Sequence, residues 1–312
     1  MSKAIKTVLG EIPADELGVT LAHEHVLCAS PTMLAAFGNK WMDRERVIDK
    51  AVMLLTEAKE ECGVSSIIDA TPIDLGRDVS ILREVSERSG VNILCSTGLY
   101  YGDVPFLGGK NPDRLAKPFI DECKNGIGDT GIKPAAIKCA TDTAGVTKIN
   151  EITLLAMAAV QSETGLPLIA HNSFYAKTPT AQIEVLRRGG ADLSRTVIAH
   201  ASDCYDADYL EGILECGCFI GFDRIYPSEF EKQGAVIAEL IFRGYADRIL
   251  LSHDYCAFID FGDYDGVYQY LRANRDFSTV HKHLLPHLIK LGVSPDTVAS
   301  LTLDNPKRLF EK

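Results

Sequence analysis

Eight short apolar runs recur along the chain, each followed by a polar or glycine-containing loop and then a segment with helical spacing. The runs cover 18–22, 65–70, 92–96, 135–139, 166–170, 196–199, 218–222 and 248–252. They are rich in Ile, Val, Leu and Ala without polar alternation, which is how parallel strands buried on both faces read. The segments between them are long enough for helices, over 43–61, 77–89, 113–124, 149–164, 180–188, 206–215 and 229–242. Two more helices are expected, over 277–291 and just before Lys312. Parallel neighbours need a crossover, so repeated strand–helix units leave few architectures. With 312 residues, no Pro/Ser-rich linker and no break in composition, the expected fold is a single-domain (β/α)8 TIM barrel spanning 1–312. An open doubly wound sheet is the alternative. The gap after the first run and the stretch 255–276 are long for loops, and on a barrel they become candidate pocket walls or lids.

Charge and composition narrow the partners. The chain carries 32 Lys and Arg against 43 Asp and Glu, a net charge of −11, which offers no basic face to a phosphate backbone. No apolar run reaches the ~18–20 residues of a membrane span. A small-molecule substrate is expected, with neither nucleic acid nor membrane as partner. The N-terminus, Met1-Ser2-Lys3-Ala4-Ile5-Lys6, lacks the apolar stretch of a secretory signal. The nine cysteines are scattered without a C-x-x-C pair. Cys216 and Cys218, placed at the start of the seventh strand, would share a face and match no common zinc knuckle. Reduced thiols in a cytoplasmic protein are the expectation.

The chemistry lies where the apolar runs stop. A barrel's reactive groups sit at the C-terminal ends of its strands. Here those ends read His23-Glu24-His25, Lys138-Cys139, His171-Asn172, His200-Ala201-Ser202-Asp203 and His253-Asp254. Residues two apart on a strand share a face, so His23 and His25 can reach one cation. Imidazoles from three strands with the Asp254 carboxylate favour zinc or a similar first-row ion (Co, Mn or Fe) over calcium or magnesium. Asp254 would stay ionised among cations and serve as ligand and proton acceptor. Its neighbour His253 must point the other way. Lys138, ending an apolar strand beside dications, is pushed toward the neutral amine. A neutral amine can take up carbon dioxide as a carbamate, an anionic ligand with two oxygens.

These residues carry a resemblance. Thr7-Val8-Leu9-Gly10, the run from Leu17 to His23-Glu24-His25, Ala136-Ile137-Lys138, His200-Ala201-Ser202-Asp203, Leu251-Ser252-His253-Asp254-Tyr255-Cys256 and Asn305-Pro306-Lys307-Arg308-Leu309-Phe310 resemble the phosphotriesterase family of the amidohydrolase superfamily over nearly the whole chain. The resemblance implies a hydrolase with two divalent metal ions. One would be held by His23, His25 and Asp254, the other by His171 and His200, with carboxylated Lys138 and a hydroxide between them. It further implies a homodimer. Gly221-Phe222-Asp223-Arg224 is similar to the lactonase branch, in which Arg stands where efficient organophosphate hydrolases carry His. Tyr100 in Gly98-Leu99-Tyr100 fits the lactonase tyrosine near the second metal. The resemblance places Asp203 and Arg224 behind the ligands or at the pocket wall. The loop 256–262 looks like the lactonase loop, with Phe261 where an indole is usual. Ile225-Tyr226-Pro227-Ser228 departs from that branch. The implied substrate is a lactone, acyl-homoserine lactones included, with weak phosphotriester hydrolysis alongside. A carboxylester or N-acyl amide is the alternative.

Three further readings compete. Gly126-Ile127-Gly128-Asp129-Thr130-Gly131 matches G-x-G-x-x-G, yet it follows a helical segment and leads into a strand, the reverse of the dinucleotide-binding context. It reads as a turn-rich loop. His283 and His287 lie four apart beside His281, but Pro286 intervenes and no Glu follows the first, so a solvated helix face is expected. A non-catalytic ligand-binding barrel would have no need of five metal-type ligands around one mouth.

Overall fold

The computed structural model describes residues 3–102, 104–260 and 276–311. Its first strands, β1 (Ala4–Thr7) and β2 (Gly10–Pro13), form an antiparallel hairpin with Ile5 opposite Ile12. Both are four residues long, too short to register as apolar runs. The strands that follow are β3 (Val19–Cys28), β4 (Val64–Asp69), β5 (Asn92–Gly98), β6 (Ala136–Ala140), β7 (Leu168–His171), β8 (Thr196–Ile198), β9 (Phe219–Phe222), β10 (Ile249–Leu251) and β11 (Cys256–Ile259). They pair in parallel in the order β10-β9-β8-β7-β6-β5-β4-β3-β11. β10 and β11 are two halves of one barrel position. β10 pairs with β9, β11 pairs with β3, and between them the Asp254 N–H donates to the His23 carbonyl at 3.1 Å. The sheet closes on itself as a (β/α)8 barrel.

The helices α1 (Pro31–Phe37), α2 (Arg44–Cys62), α3 (Val79–Ser89), α4 (Pro112–Asn125), α5 (Lys148–Thr164), α6 (Thr178–Arg188), α7 (Ala207–Leu214) and α8 (Phe230–Leu240) connect the strands. Three more follow, over Leu285–Lys290, Pro295–Ser300 and Asp304–Glu311. Strand alternation sorts the side chains. Ile137 and Cys139 of β6 face outward onto Leu154 and Met157 of α5. Ala136, Ile169, Val197, Phe219 and Leu250 face inward with Leu17, Leu309 and Phe310, making an apolar plug. Two residues further along the same strands come Lys138 and His171, which puts polar groups directly above that plug.

Several expectations change. The first strand does not stop at residue 22; β3 runs through His23 and His25 to Cys28, because its polar side chains are buried and hydrogen-bonded and therefore tolerated mid-strand. The eighth run is shorter than expected, and β11 adds a strand where a loop was expected. The expected helix over 277–291 is a π turn, Val280–Leu284, continued by Leu285–Lys290, and α8 likewise runs into a π turn. The histidine face is not simply solvated. Both ring nitrogens of His281 are buried without a hydrogen-bond partner among the described residues, and burial pushes its imidazole down to about 4. His283 and His287 lie against Phe230. Cys216 and Cys218 precede β9 rather than open it, one half-buried and one buried. Among the described residues no disulfide joins the cysteines. Phe261 and Gly262 lie outside the described residues. The loop 126–131 follows α4 and leads toward β6, as read from the sequence.

Candidate metal centre and active site

The predicted ligands arrive from β3 and from the ends of four other strands. His23 and His25 project from β3, with Nε2 atoms 3.6 and 3.2 Å from Asp254 Oδ1. Asp254 sits in the break between β10 and β11 with φ +49°. Lys138 is the third residue of β6, is 1% exposed, and holds Nζ 2.8 Å from His23 Nε2. His171 closes β7, and His200 follows β8 with φ +67°. His200 Nε2 lies 2.6 Å from His171 Nδ1. A non-glycine residue in the left-handed region costs energy. At His200 the cost is offset by Asp223 Oδ1, which accepts from both the backbone N–H (2.9 Å) and Nδ1 (2.8 Å).

The far nitrogen of each imidazole is anchored, and the anchors fix the tautomers. Asp223 Oδ2 accepts from His23 Nδ1 at 2.7 Å, so one buried carboxylate braces two histidines. The Thr71 hydroxyl donates to the Leu27 carbonyl and therefore accepts from His25 Nδ1, at 2.8 Å. Asp142 Oδ2 takes His171 Nε2 at 3.3 Å. The lone pairs left over are those of His23 Nε2, His25 Nε2, His200 Nε2 and His171 Nδ1. Lone pairs facing each other repel unless an electron-pair acceptor stands among them, and with the Asp254 carboxylate they make a donor set suited to divalent transition metals. Among the described residues, His23, His25 and Asp254 offer ligand atoms all within 4.8 Å of one another. The cluster of His23, His200 and Asp223 meets the same distance, but we read it as the brace, since Asp223 already occupies the Nδ1 atoms.

Burial sets the protonation states of most of the cluster, whereas at His25 it is outweighed by Asp254, which raises the imidazole. Desolvation pushes His23 down to about 3, with Lys138 adding to the effect, and holds His171 well below the ordinary histidine range, helped by His200. Burial likewise lowers Lys138, favouring the free amine. Burial works against charge on Asp254, but Arg224 and the histidines overcome it and keep the carboxyl well below its usual range. Glu24, between the two β3 histidines, turns away from the cluster. It accepts from Ser252 Oγ, the His253 and Tyr255 N–H groups and His253 Nδ1, tying β3 to the broken eighth strand. His253 Nε2 in turn accepts from the Val280 N–H, so this histidine points away from the centre.

Above the cluster opens a cavity of about 500 Å³, lined by His25, Lys138, His171, Arg224 and Asp254, and by Asp74, Tyr100, Tyr101, Val104 and Ile259 among its walls. Gly98 makes Tyr100 possible. At φ +128° the chain passes so close to β6 that a Cβ would lie 2.0 Å from the Lys138 carbonyl oxygen. The Tyr100 hydroxyl stands 3.4 Å from both ring nitrogens of His171. Arg224 Nε donates to Asp254 Oδ2 at 2.9 Å, and another of its nitrogens donates to Asp203 Oδ2 at 2.8 Å. All nine predicted site residues thus gather at one mouth. Sequence reasoning assigns no role to Asp223, Thr71, Asp142 or Asp74. Asp223 stands immediately after β9, so the rule that finds the histidines also reaches it. Thr71 and Asp142 carry no such signal.

Residues 3–310 match the model of the Phosphotriesterase family. The chain belongs to that family. A phosphotriesterase homology protein of Mycobacterium tuberculosis is 34% identical over 320 residues, covering 99% of this chain and 98% of that protein. An aryldialkylphosphatase of Saccharolobus solfataricus is 32% identical over 305 residues, covering 96% of each. An N-acetyltaurine hydrolase of Xenopus tropicalis is 25% identical over 350 residues, covering 99% of this chain and 98% of that protein. The phosphotriesterase family is binuclear-metal dependent, and this chain is a hydrolase of that family whose His/Asp clusters are compatible with metal binding. Among the described residues no helix is long and apolar enough to cross a membrane.

Proposed function

We propose that this chain hydrolyses a ring ester, a lactone, with phosphotriesters as poor substrates. His23, His25 and Asp254 would hold one metal ion and His171 and His200 the other, with Lys138, carboxylated, between them and zinc the fitting ion. Two such ions supply the activation of water and the polarisation of the substrate's oxygen. The chain's own residues do the rest. Tyr100 donates a hydrogen bond to the carbonyl oxygen as charge develops on it. Asp254, kept ionised by Arg224, accepts the proton of the attacking water and passes it to the leaving oxygen. Asp203 holds the outer end of Arg224 and so fixes the angle at which Asp254 is presented.

The observation that carries the lactone reading is Arg224 pinned between Asp203 and Asp254 at the cavity wall. A planar ring ester fits beside it, whereas the third substituent of a triester needs the room the guanidinium fills. An N-acyl amide is the second reading, favoured by the N-acetyltaurine hydrolase among the relatives. A panel of lactones, open-chain esters, N-acyl amides and triesters, compared by kcat/KM at equal metal content, tests both. A preference for triesters over every lactone would sink the lactone assignment. We also propose a cytoplasmic homodimer, supported by the resemblance.

A further inference from the structure

Asp74 is an acid in the cavity wall that neither the ligand cluster nor the Arg224 network uses. It sits in a 3-10 turn, Ile73–Leu75, just after β4. That turn is pinned to β3, since the Ala29 N–H donates to the Leu75 carbonyl at 2.9 Å. The next residue, Gly76, has φ +80°, and a Cβ there would stand 2.5 Å from the Ala29 carbonyl oxygen. Asp74 is therefore held by backbone that cannot easily shift.

Both carboxylate oxygens accept from the Tyr100 N–H, each at 2.9 Å. The carboxylate also accepts from its own backbone N–H. An ionised carboxylate offers about four acceptor sites, so these two N–H groups leave part of that capacity open. Among the described residues no Lys, Arg or His pairs with Asp74, whereas the other acids at this mouth are matched: Asp203 and Asp254 by Arg224, and Asp223 by two histidines. Leu75, Val104 and Ile259, which line the same cavity, carry no polar side-chain atom. Burial pushes its carboxyl up, against the opposing pull of the Tyr100 and Asp74 N–H groups.

We propose that Asp74 is a substrate subsite: it recognises an ammonium-type cationic substituent lying beside Tyr100 and rejects substrates that carry a carboxylate there. An opposite charge against a half-buried carboxylate with no cationic partner among the described residues is attracted more strongly than in water, and a like charge is repelled. Selectivity of this kind comes as much from the rejected partner as from the preferred one. The inference rests on the ring-ester reading for the scissile bond alone; the charge selection belongs to the cavity wall.

The test uses three lactones of matched shape, bearing an ammonium, a neutral alkyl or a carboxylate group, with the metal-loaded wild type and Asp74→Asn. The asparagine keeps the shape and an oxygen for the Tyr100 N–H. In the wild type, kcat/KM for the ammonium lactone should exceed that for the carboxylate lactone by at least about tenfold. In Asp74→Asn that ratio should collapse toward one, with the neutral lactone changed by no more than about twofold. Calorimetric binding of the three matching lactams should show the same collapse. A ratio unchanged by the substitution overturns the proposal. So does an equal fall for all three lactones, which would mean that Asp74 only holds Tyr100 in place. If no lactone is turned over, the ring-ester reading fails by itself. The same substituents on open-chain esters, together with the lactam binding, still decide the role of Asp74.

Discussion

His23, His25, Lys138, His171 and His200 are each no more than 4% exposed, while Ile73, Tyr101 and Val104 on the loops above them are 36–38% exposed. The lower group projects from barrel strands or their immediate ends, and every imidazole has its outer nitrogen tied to a carboxylate or hydroxyl. The upper group stands on the connections after β4 and β5, with few polar anchors. Their backbone is held by glycines at Gly76 and Gly98 and by the Asp74 to Tyr100 contact. A buried site whose orienting partners are in place determines what chemistry is possible. Loops on a rigid barrel decide which molecule is offered to it. Damage to the lower group should abolish metal binding and turnover together, and damage to the upper group should alter ratios between substrates.

The largest effect is expected at Lys138. Lys138→Ala should lose metal and nearly all activity, and short carboxylates should restore part of both by standing in for the carbamate. Lys138→Glu should retain more metal than the alanine variant. Elemental analysis of the wild type should find about two metals per chain. Full activity in Lys138→Ala without rescue would remove the carbamate from the site.

Asp254→Asn comes next. The amide keeps the shape but cannot take a proton, so kcat should fall by at least ~10²-fold, the scale of lost general-base catalysis. The acid limb of the pH–rate profile should move as well. Near wild-type kcat in this variant would show that the proton leaves by another route.

Asp223→Asn probes the anchors rather than the ligands. The amide can accept from one histidine while presenting its NH2 to the other. Metal affinity should therefore weaken by about 10- to 100-fold, as for other partners that orient a ligand. Equilibrium dialysis is the readout, and activity at saturating metal should recover much of the loss. A variant with wild-type affinity would mean that packing alone orients His23 and His200.

The smallest effects belong to the wall. Tyr100→Phe removes a donor near His171 and should lower lactone turnover more than triester turnover, shifting the ratio by roughly tenfold. Arg224→His should move the ratio of kcat/KM toward triesters by opening the wall. Because Arg224 also grips Asp254, both rates should drop somewhat before the ratio is read. Metal content must be matched, since a variant that sheds metal lowers both rates together. If Tyr100→Phe or Arg224→His instead empties the centre, the division between the two groups does not hold.

Much of the lower group is legible in the amino-acid sequence. His23, Lys138, His171, His200 and Asp254 stand out because a charged or imidazole side chain directly after a run of buried aliphatics has few bland explanations, and five such places converge on one face of a barrel. The eighth strand is less legible. Its two halves pair with different neighbours, and nothing local in 248–259 says that the strand breaks at Asp254. Asp74 carries no signal because an acid in a short turn is usually solvated; its meaning depends on which cations, among the described residues, stand elsewhere.

The sequence by itself determined the repeat of buried strands and covering helices, and through it the barrel and the set of side chains at its mouth, because periodicity and burial pattern are properties of neighbours along the chain. Only the tertiary structure decided which nitrogen of His23, His25, His171 and His200 faces the cluster, that Asp223 braces two of them, that β10 and β11 close the barrel as one broken strand, and that Asp74 faces the cavity without a cationic partner among the described residues. Those facts join residues as far apart as His23 and Asp223, 200 positions away. Contacts of that range leave no local pattern, since they are fixed by how the strands register around the barrel and by which polar groups remain once the apolar layers have packed.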